Sequence, residues 1–461
     1  MSLGLKFKTL EVEGDTPVQH IVTCIFQSNI QHKRISFKNT HLDVQQRGRL
    51  VSVEFINNIQ SIDIYKMVYI SVKENVFEEQ SATIYIPENY EPSKLNIWIH
   101  GTFRHFDDTL NEIGWLNLEP SKLNNSPVLK SFILSKTTNS ICIAPDNVGY
   151  GVSAGIPYYV DTQTQIDSVI DSFIAFKFLC KTLKYLQMST QPVKIYVVGY
   201  SLGGIFVPGT ANELIRILQS DQSWTIGKLI CGAPINGNSI VNYIYDSKLT
   251  TLISDLLFFV LFHLSSKKYI ACQILKLSIY RDLLPLFSNL YSGVGSFTTK
   301  FSSKVTELIS KGVIKLNNNN QILADSILNL DKLPLICEKE LHNITNPFLD
   351  LTLLSNHPMY IVYSKGDPLC NLKIDNNIIV DTISELDTDL NGTFPSQQIQ
   401  QKLNKPSNNF IKYEIEESGI GLTDIVTNEQ NKYIRIIVNS QLNHTGFHNK
   451  FMEFASLIIN S

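Results

Sequence analysis

Apolar and polar residues alternate through Ile62-Asp63-Ile64-Tyr65-Lys66-Met67-Val68-Tyr69-Ile70. A period of two marks a strand with one face buried, and the first eighty or so residues read as short antiparallel strands. They are either extra strands of the main sheet or a small module of their own. Ser81 to Pro87 reads as a further strand, ended by its proline. After that the pattern changes. Apolar, β-branched runs recur at Leu95–Ile99, Ile141–Ala144, Val193–Val198, Lys228–Cys231, Met359–Tyr363 and Tyr433–Val438, with helix-length segments between them. Runs without alternation suit strands buried on both faces, joined by helical crossovers. The expected class is therefore α/β, a mostly parallel central sheet with helices on both faces. In such sheets the functional side chains stand just past the carboxyl ends of the strands.

Between Pro234 and Asn346 the alternation of strand and helix breaks. Ser254–His263, Tyr269–Leu284 and Phe301–Lys311 read as helices, and Asn317–Asn320 as a polar loop. The expected organisation is a β-rich extension over residues 1–80, a core made of 81–234 and 346–461, and a helical insertion over 235–345. Within the insertion, Leu249–Leu264 is very apolar but carries Asp255 in its middle. It is too short and too polar at its centre for a membrane span, so it reads as a buried helix or one lying against a lipid surface.

The strand ends carry the chemistry. Gly199-Tyr200-Ser201-Leu202-Gly203 is a Gly-x-Ser-x-Gly sequence between an apolar strand and the helix-like run Ile205–Leu218. A sharp strand-to-helix turn of this kind exposes a serine hydroxyl above the sheet and aims the next N–H, that of Leu202, at a developing oxyanion. Gly199 and Gly203 supply the small residues where the two backbones nearly touch. A Gly-rich packing turn is the plain alternative, and the other strand ends weigh against it. His100-Gly101-Thr102 follows the strand ending at Ile99, which makes the N–H of Thr102 a candidate second oxyanion donor. The His100 ring reads as structural. Asp146, after Ala144, reads as a residue that fixes its loop rather than as a catalytic acid. Lys365-Gly366-Asp367-Pro368 follows the run ending at Tyr363, and Asp367 is placed to orient a histidine; Asp375 is the local alternative. Asn443-His444-Thr445-Gly446-Phe447-His448 follows the last strand and precedes a helix-like segment, Asn449–Ile458. A general base belongs in that loop. His444 is the choice, and His448, already inside the helix, is the alternative. The chain order is then Ser201, Asp367, His444: nucleophile, acid, base.

Composition removes several classes. The chain has 461 residues, 43% of them hydrophobic and 18% charged, with a net charge of −3. That is globular rather than disordered, and it gives no electrostatic footprint for nucleic acid. The seven cysteines are an odd set without a Cys-x-x-Cys pair, so they read as buried thiols in a reducing compartment, not as a zinc site or a disulfide frame. Residues Met1–Asp15 lack the apolar core of a signal peptide. The expectation is a cytoplasmic protein, or one exported by a route without such a signal.

Taken together, His100-Gly101-Thr102, Ala144-Pro145-Asp146, Gly149-Tyr150-Gly151, Ile156-Pro157-Tyr158-Tyr159, the helix Asp167–Phe173, the Ser201 turn, Asp367 and His444 resemble the α/β-hydrolase superfamily, and in particular its secretory-lipase-like branch. The likeness covers roughly positions 80 to 461. It implies carboxylic-ester hydrolysis by Ser201, His444 and Asp367 under a helical cap, on a small-molecule or lipid ester, with no metal or cofactor. Three departures bear on the branch. The segment between Asp367 and His444 is long and polar, including Asn391 to Asn409. Cys370-Asn371 stand where Val-Pro is frequent, and Leu202 stands where glutamine is frequent. They leave lipase against small-ester esterase open. A serine peptidase or amidase on the same fold, and a binding protein that has lost the chemistry, are the rival readings.

Overall fold

The computed structural model describes residues 8–12, 33–37, 47–73, 76–101, 129–148, 150–153, 162–182, 188, 192–234, 276–283, 299–318, 323–327, 329, 357–367, 373–374, 378–379, 410–419, 422, 425–426, 433–442 and 446–461. The alternating run at 62–70 becomes part of β4 (Ile62–Lys73), which pairs antiparallel with β3 (Leu50–Ile59) and β5 (Val76–Pro87). The buried apolar runs become β6 (Lys94–Ile99), β7 (Ile141–Pro145), β8 (Val193–Tyr200), β9 (Trp224–Gly232), β10 (Met359–Ser364) and β14 (Tyr433–Asn439). Every residue of β7 and of β10 is buried, as strands covered on both faces require. β1 (Lys8–Val12), β2 (Lys33–Phe37) and β13 (Phe410–Glu416) complete a twelve-stranded sheet in the order β1-β2-β3-β4-β5-β7-β6-β8-β9-β10-β14-β13. The pairs from β7 through β13 are all parallel, and those from β2 to β7 are antiparallel. β11 (Lys373–Ile374) and β12 (Ile378–Ile379) form a separate two-stranded ladder.

The strands before residue 81 are continuous with the main sheet. β5 itself runs through residue 80, and it hands the sheet on to β7 by pairing Ala82 with Pro145 and Tyr85 with Cys142.

Two helix layers cover the sheet. α1 (Leu129–Thr138) and α7 (Phe447–Asn460) pack on each other and share one face. α2 (Thr162–Thr182) and α3 (Leu202–Leu218) pack on each other and share the opposite face. α7 is pinned at its far end by Lys228 of β9, whose Nζ donates to Ile458 O at 2.6 Å and to Ser461 Oγ at 3.3 Å. α2 is tied to the antiparallel half by a polar cluster. Arg47 Nε donates to Asp171 Oδ1 at 3.0 Å, its guanidinium also meets Asp167 at 2.9 Å, and Ser71 Oγ donates to Asp171 Oδ2 at 2.8 Å. Burial outweighs the Arg47 attraction and pushes the Asp171 carboxyl up to about 6.

In the expected insertion the described residues are helical over α4 (Leu277–Leu283), α5 (Thr299–Ser310) and α6 (Ala324–Ile327). The apolar run Leu249–Leu264 and the helix expected at Ser254–His263 lie outside the described residues. Among the described residues no helix is long and apolar enough to cross a membrane. Cys142 and Cys231 are buried free thiols, as their apolar runs imply.

Candidate active site

Ser201 sits between β8 and α3 with φ 57° and ψ −122°. A residue with a side chain held in that region costs on the order of 1–3 kcal/mol and persists only where its surroundings impose it. Here they do. The Ser201 N–H donates to Gly232 O at 2.7 Å, and Ser201 O accepts from the Gly204 N–H at 3.0 Å. The flanking glycines are a steric requirement. A methyl group on Gly199 would overlap the Gly203 carbonyl, and one on Gly203 would overlap Ile99 O and stand 2.7 Å from His100 O. The end of β6, the end of β8 and the first turn of α3 are therefore in backbone contact. Leu202 opens α3, and the first N–H groups of a helix have no partner within it, so this end of α3 is set up to receive negative charge.

The loop after β6 borders the serine. A methyl group on Gly101 would lie 3.1 Å from Ser201 Cβ and 3.7 Å from Ser201 Oγ. His100 fixes that loop. Its Nδ1 is 2.6 Å from Gly101 O and its Nε2 is 2.8 Å from Asp146 O. Burial lowers its pKa to about 4, so the neutral ring donates to only one of these two carbonyl oxygens, and it stands at 89° to the Tyr150 ring with centroids 5.5 Å apart. Thr102, the expected second donor, lies outside the described residues.

Asp146 is fully buried and secures the loop after β7 through a serine. Ser81 Oγ donates to Asp146 Oδ2 at 2.5 Å and accepts from the Val152 N–H at 3.1 Å. Ser81 thereby links Asp146 to the Val152 N–H of the loop.

Asp367 ends the turn after β10 and is fully buried. The turn is laced to the segment leaving β14. Lys365 N–H donates to Val438 O at 2.9 Å, and Gly366 N–H donates to Ser440 O at 2.9 Å and to Ser364 Oγ at 3.1 Å. Ser364 Oγ in turn donates to Ser440 O at 2.9 Å. β8, β9, β10 and β14 are parallel neighbours, so their carboxyl ends share one edge. With strands about 4.8 Å apart, the Asp367 turn is roughly 10 Å from the serine strand and the β14 end roughly 14 Å. His444 and Asp375 lie outside the described residues. Position 444 falls between Leu442, three residues past β14, and Gly446, the nearest described residues on either side.

His448 is in the first turn of α7, as its place after the loop suggests. Its ring lies nearly parallel to that of Tyr200, with centroids 4.1 Å apart and planes 9° apart, and it also stacks on Trp98 at 5.9 Å. Sequence reading alone left this platform unseen. Trp98, Tyr200 and His448 look like unrelated core and helix residues, and only the adjacency of β6 and β8 joins them.

No protein-family model matches the chain, and no curated protein does. Solved structures do. A protein of Legionella pneumophila subsp. pneumophila strain Philadelphia 1, provisionally assigned as a hydrolase, matches with a TM-score of 0.56 at 15% identity, over 86% of this chain and 88% of that one. The rice cell wall degrading esterase LipA of Xanthomonas oryzae matches with a TM-score of 0.49 at 14% identity, over 70% of this chain and 84% of its own. Candida antarctica lipase A matches with a TM-score of 0.47 at 11% identity, over 87% and 78%. Joined to a parallel sheet whose central strand runs into a strained serine and a helix, the first of these likenesses gives the architecture its name: the chain has the α/β-hydrolase fold.

Proposed function

We propose that the protein is a serine hydrolase that cleaves carboxylic esters, with Ser201 as nucleophile, His444 as general base and Asp367 as the acid that orients it. The observation that carries this reading is the backbone of Ser201, strained at φ 57° between β8 and α3 with the Gly101 loop beside its hydroxyl. Strain at that point has a chemical use, since it lifts the hydroxyl out of the helix and turns the first N–H of α3 toward the oxygen of the carbonyl that the serine attacks. His444 takes the serine proton as Oγ adds to the ester carbonyl. The N–H groups of Leu202 and Thr102 receive the oxyanion, each donor contributing about 2.7–4 kcal/mol. The tetrahedral intermediate collapses as His444 protonates the leaving alcohol. Water, activated by the same imidazole, then releases the acid. Nothing in this sequence of steps asks for a metal or a cofactor.

The apolar stretch Leu249–Leu264 favours a substrate with an acyl chain, because a cap with an apolar inner face would shelter one. It also leaves room for contact with a lipid surface.

The test is a panel of p-nitrophenyl esters of rising chain length run beside peptide anilides, with a fluorophosphonate probe on the wild type and on Ser201→Ala. Ester turnover, labelling at Ser201, and a loss on the order of a millionfold in kcat for Ser201→Ala are expected. Cleavage of anilides without esters would make it an amidase. No labelling of the native protein would make it a binding protein on this fold.

A further inference from the structure

We infer that Asn147 is a specificity-determining residue: its side-chain oxygen accepts a hydrogen bond from a hydroxyl on the acyl part of the ester, which makes hydroxyacyl esters the substrate class. This role rests on the ester-hydrolase reading above. The register of the sheet puts Asn147 level with the nucleophile. β6 pairs Ile97 with Ile143 of β7 and Ile99 with Gly199 of β8, and β8 pairs Gly199 with Cys231 of β9. Carried past the strand ends, these registers align Asn147, Gly101, Ser201 and Ala233 in one row. Contacts beyond the ladders agree with that alignment. His100 Nε2 is 2.8 Å from Asp146 O, and the Ser201 N–H donates to Gly232 O at 2.7 Å. With strands about 4.8 Å apart, the Asn147 and Ser201 main chains stand roughly 10 Å from each other. Gly101, between them, has no side chain to intervene.

Three residues of the row hold a left-handed φ without being glycine: Asn147 at 61°, Ser201 at 57° and Ala233 at 41°. The other described residues of this kind, Gln60, Ser61 and Asn139, sit in the short turns between β3 and β4 and between α1 and β7. Backbone strain gathers where a functional site imposes it. The main chain around Asn147 is held firmly. The Asp146 N–H donates to Ser81 O at 2.9 Å, the Val148 N–H to Gln165 Oε1 at 3.0 Å, and the Tyr150 N–H to Asn147 O at 3.2 Å. The side chain is different. Asn147 is 2% exposed, and its Oδ1 is buried with no hydrogen-bond partner. Buried polar atoms are paired in the great majority of cases. Glycine would meet the same φ at less steric cost, and asparagine usually offsets that cost with a local side-chain hydrogen bond, which Oδ1 does not make. A carbonyl oxygen calls for a donor, which a hydroxyl supplies and an ether, a ketone or an alkyl chain does not. Ser201, which must meet the substrate, is itself only 7% exposed, so burial at this level does not bar a ligand. The Asp367 turn stands on the other side of the serine strand, beyond β9. The base that it orients therefore delivers the leaving alcohol's proton from that side, and the Asn147 side is left to the acyl part.

The experiment measures kcat/KM on p-nitrophenyl 3-hydroxybutyrate and p-nitrophenyl 3-methylbutyrate, which differ by a hydroxyl in place of a methyl group. Wild type, Asn147→Gly and Asn147→Asp are compared, with melting temperatures as the check on folding. Wild type is expected to prefer the hydroxy ester by at least about tenfold, because a site built to pair a substrate hydroxyl discriminates against the analogue without it. Asn147→Gly keeps the backbone conformation and removes the acceptor, so the preference should be lost. Asn147→Asp keeps an acceptor oxygen and should retain it. Structural damage alone would slow both esters alike and leave their ratio unchanged. A wild-type ratio preserved in Asn147→Gly overturns the assignment, and so does loss of the preference in a folded Asn147→Asp. Should Asn147→Gly fail to fold, Asn147→Ser, whose side chain is shorter, is read in the same way. A wild type that hydrolyses neither ester and takes no fluorophosphonate overturns the hydrolase reading and this assignment with it. A wild type that cleaves both esters equally well overturns this assignment alone.

Discussion

The two halves of the sheet are held by different physics. At the carboxyl ends of the parallel strands the fixing contacts are mostly backbone to backbone: Gly203 against Ile99 and His100, Ser201 N–H to Gly232 O, Ala233 N–H to Val362 O, Lys365 N–H to Val438 O. In the antiparallel half, charged and hydroxyl side chains dock β4 and the segment before β3 onto α2: Arg47 to Asp167 and Asp171, Ser71 to Asp171, Tyr69 OH to Ser168 O at 3.1 Å. Backbone contacts leave no room for substitution and do not titrate. A side-chain cluster tolerates small changes in geometry and answers to pH. A site built to hold a serine in a strained conformation is served by the first arrangement.

The largest effect expected from this contrast is steric. Gly203→Ala places a methyl group inside the van der Waals radius of Ile99 O, where neither neighbour can move without shifting β6 or α3. A loss of more than about 4 kcal/mol is expected, the exceptional end of single substitutions. Gly312→Ala is the control. Its φ is 68° and nothing lies within 4 Å, so only the backbone preference is lost, about 1 kcal/mol. Urea midpoints for the two variants measure the difference. Equal losses would show that the close approach at the elbow is not what holds it.

The second effect is electrostatic and belongs to the other half. Asp171 is held near 6 when folded, against an ordinary 3.8. Between pH 4 and 6 the unfolded chain gives up this proton while the folded chain keeps it. The stability linked to the group is therefore fully present below pH 4 and lost as pH rises through 6. The gap corresponds to roughly 3 kcal/mol. Asp171→Asn cannot titrate, so the stability of wild type relative to this variant should fall as pH goes from 4 to 7. Melting temperatures of both proteins across that range give the answer. A relative stability that rises with pH would mean that the Arg47 pairing outweighs burial.

The same contrast explains what the sequence disclosed. Strands β6 to β10 and β14 are buried on both faces, so their apolar runs stand out, and the elbow stands out because its steric demand permits only glycine at Gly199 and Gly203. Asp367 is legible by its place after a strand. β13 does not stand out, because Phe410–Glu416 follows a long polar stretch and reads FIKYEIE, an edge strand with polar positions interleaved. The Arg47–Asp171 cluster joins residues 124 apart in the chain, and no local pattern announces it. The same is true of the His448 platform, whose partners come from β6 and β8. What local sterics or burial dictate can be read from the chain; pairings that only the sheet order creates cannot.

The smallest expected effect tests the contrast most finely, because it removes a side chain that joins the main-chain lacing at the Asp367 turn. Ser364 Oγ donates to Ser440 O at 2.9 Å and accepts from Gly366 N–H at 3.1 Å. Both partners also bond each other at 2.9 Å, so neither is orphaned when the hydroxyl goes. Ser364→Ala should therefore cost only about 1 kcal/mol of stability, the lower range for a buried hydrogen bond whose partners stay satisfied. The backbone bonds of Lys365 and Gly366 would still hold the Asp367 turn against β14, and kcat should fall by less than about tenfold, that is, by less than 1.4 kcal/mol in the barrier. Measured on the ester that wild type turns over best, a kcat loss approaching that of Ser201→Ala would mean that a side chain, and not the main chain, keeps the acid in place.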